Sequence, residues 1–267
     1  MRNFKHVRMS EPQGSEAGWQ HVHPRIPDTP QRRRLERQRG IRQIVFGAQD
    51  GILTTLGIIT GVGAADGQRF TVIISGMLAL FAGALSMGVG EYLGRKSERE
   101  VVTAAIELEK TEMADDPQAE FAEQVAYYKL KGFTSEEAVM IVRRLTQNPE
   151  IYLYEMVRDE FGIDPREAED PGSRAAVFMG ISYALGSFVP IVAFLLPVPA
   201  HWSIPAALVL AVCALFAVGY YAGTLASKSP LLKGVELVAY GCVIFTLSYL
   251  AGRFVPPMFG HAPVSVG

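Results

Sequence analysis

Hydrophobic and polar positions in this chain are sorted into long blocks instead of being interleaved. From Gln43 to Ala65 the only charged residue is Asp50, and from Ala175 to Ser227 there is no Asp, Glu, Lys or Arg. Between these blocks, Glu91 to Asp170 holds 20 acidic and 10 basic residues. A soluble domain would mix the classes along amphipathic elements, so the blocks predict membrane spans separated by an aqueous segment. A hydrocarbon core of about 30 Å takes about 20 apolar residues at about 1.5 Å rise each. Five segments qualify: Gln43–Ala65, Phe70–Leu93, Ala175–Pro197, Trp202–Ala226 and Leu232–Phe254. The breaks between them carry turn chemistry: Asp66-Gly67-Gln68-Arg69, the run from Pro197 to His201, and Ser227-Lys228-Ser229-Pro230.

The aqueous segment has its own helical pattern. The second span continues into a charged helix up to about Ala114, where Asp115-Asp116-Pro117 ends it and starts another. That second helix runs from Pro117 to Lys131 and stops at Gly132. A third begins at Thr134-Ser135-Glu136-Glu137, with an acidic first turn, and a fourth covers Pro149 to Phe161 and ends at Gly162. The predicted fold is all-α: a polytopic membrane protein with five transmembrane helices and a helical module between the second and third. The boundaries are 1–40 for a basic, disordered tail, 41–94 for the first two spans, 95–173 for the module, 174–255 for the last three spans and 256–267 for a C-terminal tail.

Charge gives the orientation. Arg32, Arg33, Arg34, Arg37, Arg39 and Arg42 precede the first span, Arg95, Lys96 and Arg99 follow the second, and Lys228 and Lys233 lie between the fourth and fifth. All three groups fall on one side of a five-span chain, which makes that side cytoplasmic; Arg69 and Arg253 are the exceptions. The N-terminus and the acidic module are then both cytoplasmic. The basic run leads into a helix too long and Gly-rich for a signal peptide. It reads as a topology determinant or an anionic-lipid contact, and no nucleic-acid partner is implied. His21 and His23 lie in a Pro-rich tail with no fixed geometry for a metal, and Cys213 and Cys242 sit inside apolar spans as packing residues.

Two sets of residues carry candidate chemistry. An aspartate near the centre of a lipid-spanning helix costs about 2.5–3.5 kcal/mol on insertion scales, so Asp50 points to an ion or proton path. In the module, Glu109 and Glu112 are three apart on one helix, as are Glu120 and Glu123 on the next, and Met156 and Glu160 are four apart on the last; each pair shares a helix face. Carboxylates with one thioether suit a divalent ion of intermediate hardness, such as ferrous iron or manganese. Glu91 to Asp170 contains no His or Cys, which argues against a structural zinc site. The plainer alternatives stay open: acidic helix faces are commonly just solvated, and Met87 read alone is a packing side chain.

Taken together, the motifs resemble the vacuolar iron transporter family. Val45-Phe46-Gly47-Ala48-Gln49-Asp50-Gly51 is similar to the family's first-span signature. The run from Ala82 to Tyr92, AGALSMGVGEY, is similar to its second-span signature. Gly186-Ser187-Phe188-Val189-Pro190 in the third span and the acidic module after the second extend the likeness from about Arg39 to Gly252. The resemblance implies a homodimer with the first spans lining the path and Asp50 and Met87 as intramembrane metal ligands. Gly47/Gly51 and Gly57/Gly61, two GxxxG pairs, would allow two copies of that helix to approach closely. It further implies metal binding in the module through Glu109, Glu112, Glu120, Glu123 and Glu160, with Met156 as a sulfur ligand. Met156-Val157 stands where some members have two methionines, a change toward harder ions. Arg39, Gln43 and Ala79 stand where plant members carry acids, and Glu91 and Glu236 are candidates to take over proton coupling, Glu236 with the alternative of a snorkelling pair with Lys233. The expected function is that of a non-enzymatic carrier removing Fe2+ or Mn2+ from the cytosol in exchange for protons, with Co2+ and Zn2+ as further cargo candidates. The rivals are a membrane-anchored metal sensor and a di-iron, ferritin-like protein. A bacterial plasma membrane is favoured over an organelle membrane.

Overall fold

The computed structural model describes residues 30–66, 68–166, 172–197, 199–226 and 228–259, and these form eight helices with no strand among them. They are α1 (Pro30–Asp66), α2 (Arg69–Asp115), α3 (Pro117–Leu130), α4 (Ser135–Leu145), α5 (Pro149–Phe161), α6 (Ser173–Leu195), α7 (Ala200–Leu225) and α8 (Pro230–Met258). Five of them, α1, α2, α6, α7 and α8, are long and apolar enough to cross a membrane. In α2 the apolar part ends near Leu93 and the remaining residues belong to the acidic stretch. The chain forms two compact units. One contains Glu98–Asp170, and the other contains Asp28–Ser97 together with Pro171–Gly267.

One boundary differs from the sequence expectation. Helix α1 starts at Pro30, inside the segment predicted to be a disordered tail up to residue 40. Proline suits a first helical position, and the Arg, Gln, Leu and Glu residues that follow are good helix formers. His21 and His23 lie outside the described residues.

The spanning unit is built around α1, whose two glycine faces are both used within the chain. A Cβ on Gly51 would collide with the Tyr183 carbonyl of α6 and come within 2.9 Å of the Ser187 hydroxyl, and one on Gly47 would lie 2.7 Å from the Met179 carbonyl. In return, Gly186 of α6 presses on the carbonyl of Ala48. Ser187 Oγ donates to the Gly51 carbonyl at 3.2 Å, so the close approach also satisfies a hydroxyl that lipid could not. About two and three helical turns beyond Gly51, Gly57 and Gly61 meet Ile244 and Ser248 of α8, and Gly252 of α8 presses on the Gly61 carbonyl. The two GxxxG pairs therefore do not serve a second copy of α1. They receive α6 and α8 of the same chain.

Apolar packing completes the unit. Ile52, Leu56, Ala211, Leu215 and Leu237 join α1, α7 and α8, while Ile59, Val72, Ala193, Phe194 and Ala207 join α1, α2, α6 and α7. Helices α1 and α6 are 44% and 50% buried in their most apolar windows, against 17% for α2 and for α8, so the last two are the least covered by the rest of the chain. Leu78, Phe81, Leu85 and Val89 of α2 and Val243 and Leu247 of α8 are exposed accordingly. Arg69, an exception to the charge asymmetry, has a local role. Its Nε donates to the Phe194 carbonyl at 2.6 Å and its Nη2 to the Leu196 carbonyl, capping the C-terminus of α6 where helix carbonyls lack partners.

The second unit takes its helix ends from recognisable caps. Asp116 accepts from Gln118 N at 3.2 Å and Ala119 N at 3.0 Å, with Pro117 at the first helical position of α3. Thr134 and Glu137 form a capping box at α4. Asn148 accepts from Ile151 N at 3.2 Å before α5, which ends at Gly162 with φ of 66°. The apolar core here is Met113, Val142, Tyr152, Leu153, Met156 and Val157.

Candidate metal centre

The α2–α3 turn at Asp116-Pro117 and the return of α5 bring acids from three helices together. One carboxylate oxygen from each of Glu109, Glu112 and Glu160 lies within 4.8 Å of the others. Glu109 is fully buried, and no donor reaches either of its oxygens. Its close neighbours Glu160 and Glu120 are also carboxylates, so only a proton or a cation can sit between them. Burial first, then the hydrogen-bonding and charge of Glu160 and of Glu120, push the Glu109 carboxyl up to about 8. Glu120 is buried as well and is raised by burial first, then by the charges of Glu123, Glu112 and Glu160, against a lowering contact with Glu109. The five glutamates predicted from spacing thus share one electrostatic field, with three of them converging on a point.

Other acids of the unit are already engaged. Asp159 receives Lys131 Nζ at 2.5 Å and Gln124 Nε2 at 2.8 Å, Glu107 pairs with Lys110 at 2.6 Å, and Glu137 serves the α4 cap. Asp164 is held at about 2, chiefly by hydrogen bonds from the Arg166 guanidinium. This contrast separates structural acids from the centre. A carboxylate buried without a donor is unfavourable unless something positive joins it.

Met156 is fully buried, four residues before Glu160 on α5, in the apolar cluster with Met113 and Tyr152. Sequence reasoning missed Tyr152 and Gln124, both buried, each with a side-chain oxygen that has no partner. The signal was available: Tyr152 lies four residues before Met156, and Gln124 four after Glu120, on the same helix faces.

The intramembrane candidates are more dispersed. Asp50 is half-buried on α1, and no group of three Asp, Glu, His or Cys ligands includes it among the described residues. Tyr183 of α6 lies in its field, in side-chain hydrogen-bonding reach of Thr54 and Ser187. Met87 is half-buried on α2, beside Gly88, which packs on the Ala176 carbonyl of α6. Glu91 accepts from Arg95 Nε at 3.1 Å and from Gln43 Nε2 of α1 at 3.4 Å. Glu236 pairs with Lys233 at 2.6 Å, the arrangement that snorkelling side chains adopt.

The sequence profile of the VIT family matches residues 41–253, a stretch that includes every residue of this centre, the first four spanning segments and most of the fifth. The chain belongs to the VIT family. Vacuolar iron transporter 1 of Arabidopsis thaliana is 29% identical over 218 residues, covering 80% of this chain and 86% of the relative. Vacuolar iron transporter 2 of Oryza sativa subsp. japonica is 26% identical over 203 residues, with 76% and 82% covered. The vacuolar iron transporter of Plasmodium falciparum is 26% identical over 220 residues, with 79% and 81% covered. This VIT family chain is a multi-pass membrane protein, and its kinship is to transporters of metal.

Proposed function

We propose that this chain carries Fe2+ or Mn2+ out of the cytosol in exchange for protons. The observation that carries the reading is Glu109, buried with two unpartnered oxygens beside the carboxyl groups of Glu160 and Glu120. Such a group takes up either a proton or a divalent ion, and loading one releases the other. The acidic unit collects cargo on the cytosolic side through Glu109, Glu112, Glu120, Glu123 and Glu160, with Met156 as the softer donor. The oxygen-rich donor set with one thioether suits Fe2+ or Mn2+, and Co2+ and Zn2+ are further cargo candidates. The names of the relatives support iron. They also name the vacuole, and nothing in the spans or the acidic unit favours a plasma membrane over it.

Asp50 and Met87 carry the ion through the membrane. Phe46, Asp50, Thr54 and Ile58, four residues apart, form the stripe of α1 least covered by the other helices, with Phe46 47% and Ile58 36% exposed. That stripe, and not the glycine pairs, is the face with which α1 would meet its mate in a homodimer, opposing the two Asp50 side chains. Glu91 and Glu236 contribute to the proton route by releasing Arg95 and Lys233.

The test is uptake of Fe2+ and Mn2+ by proteoliposomes containing an internal pH dye, for wild type and Asp50→Ala. Metal-driven proton movement present in wild type and lost in the variant supports the exchange. Equal flux in both proteins would remove Asp50 from the path, and binding without flux in wild type would leave only a metal-binding protein.

A further inference from the structure

Around the carboxylates of the acidic unit, the polar groups left without partners include both a donor and an acceptor. Tyr152 is 3% exposed and its hydroxyl has no hydrogen-bond partner. It stands on the face of α5 that carries Met156 and Glu160, at four-residue steps, and the charges of Glu120, Glu109 and Glu123 act on it in that order. Gln124 is fully buried one turn after Glu120; its Nε2 donates to Asp159 Oδ2 at 2.8 Å, which fixes the amide, and its Oε1 is left without a donor. Leaving a phenol hydroxyl unpaired in the interior is destabilising. A phenylalanine would fill the same apolar cluster with Met113, Leu153 and Val157 at no such cost.

An ion bound among these carboxylates changes the balance. Each monodentate carboxylate turns one oxygen to the ion, and its second oxygen then needs a donor of its own. The described residues offer Glu109 no donor of its own. We infer that Tyr152 is a positioning residue for the cargo ion, its hydroxyl donating its one proton to an outer oxygen of Glu109 or Glu120 once the ion is loaded, with the Gln124 carbonyl oxygen accepting from a water on the ion. Neither residue adds charge to a set of acids that already outweighs a divalent ion.

This inference rests on the acidic unit binding metal, so the experiment separates the two. Calorimetric titration of Mn2+ into the full-length protein in nanodiscs is run on wild type, on Glu109→Gln/Glu112→Gln/Glu160→Gln, and on Tyr152→Phe, with ion-free thermal unfolding of each. Loss of a binding class in the triple variant assigns that class to the unit; its persistence there would overturn the metal reading itself. Tyr152→Phe is expected to weaken the assigned class by about tenfold or more, the usual effect of removing an outer partner of a metal ligand, while ion-free unfolding stays the same or moves to higher temperature. Wild-type Mn2+ affinity in Tyr152→Phe would overturn the inference. So would a loss of affinity accompanied by a matching fall in ion-free stability, which is the pattern of a residue that only packs.

Discussion

Lowering the pH from 8 to 6 should release metal from the acidic unit, and the size of the effect follows from Glu109. Its carboxyl lies at about 8 because burial and the neighbouring carboxylates of Glu160 and Glu120 oppose its ionisation. An ion must displace the proton, so the apparent dissociation constant grows by the factor 1 + 10^(pKa − pH). That factor is about 2 at pH 8, about 11 at pH 7 and about 100 at pH 6, an overall weakening of about fifty-fold. Glu120, also raised, adds to it in the same direction. Titration of Mn2+ in buffers of different ionisation enthalpy reads the proton count directly, with about 0.9 proton expected per ion from Glu109 at pH 7 and about half a proton at pH 8. The same group sets stability with the opposite sign. Its folded value lies above the ordinary 4.5, so its contribution to the ion-free fold is complete below about 4.5 and declines as pH rises to about 8. Glu109→Gln should flatten both profiles, giving weaker binding that depends less on pH and a more stable ion-free unit at pH 8. A wild-type affinity that changes less than threefold between pH 6 and 8, with no buffer-dependent heat, would refute the reasoning.

Two further outcomes follow from the geometry. Replacing Glu109, Glu112, Glu120 and Glu123 together by Ala should slow proteoliposome uptake more at low than at high metal, because a collector matters most when cargo is scarce; an equal slowing at all concentrations would place these acids elsewhere in the cycle. Gly186→Ala puts a methyl against the Ala48 backbone, which cannot yield as a side-chain end can, so SDS unfolding should report a loss on the order of 1–3 kcal/mol, and wild-type resistance would mean that α1 and α6 separate without penalty.

The helices were legible because each boundary has a local chemical cause. Asp116-Pro117, Thr134 with Glu137, and Asn148-Pro149 are caps in the sequence and caps in the fold. The glutamates of the centre were legible as helix faces, since spacing fixes what shares a face. Spacing does not say which helix comes opposite, and there the reading went astray. Gly47, Gly51, Gly57 and Gly61 read as a surface for a second copy, yet α6 and α8 occupy it, a choice made by tertiary packing. Tyr152 and Gln124 were passed over for a related reason: spacing puts them on the right helix faces, but a lone phenol or amide carries weight only once burial removes its partners. Arg69 looked like a breach of the charge rule, and only the C-terminus of α6 folded against it explains why it is tolerated.

Keying α1 into both neighbours has a mechanical consequence. For α1 to slide or turn alone, Gly51 would have to leave Ser187 and Tyr183 while Gly61 and Gly252 part from each other, breaking the Ser187 hydrogen bond in a medium that offers no replacement. The three helices are therefore one moving part. Any step that would turn Asp50 from one side of the membrane to the other would have to carry α6 and α8 with it.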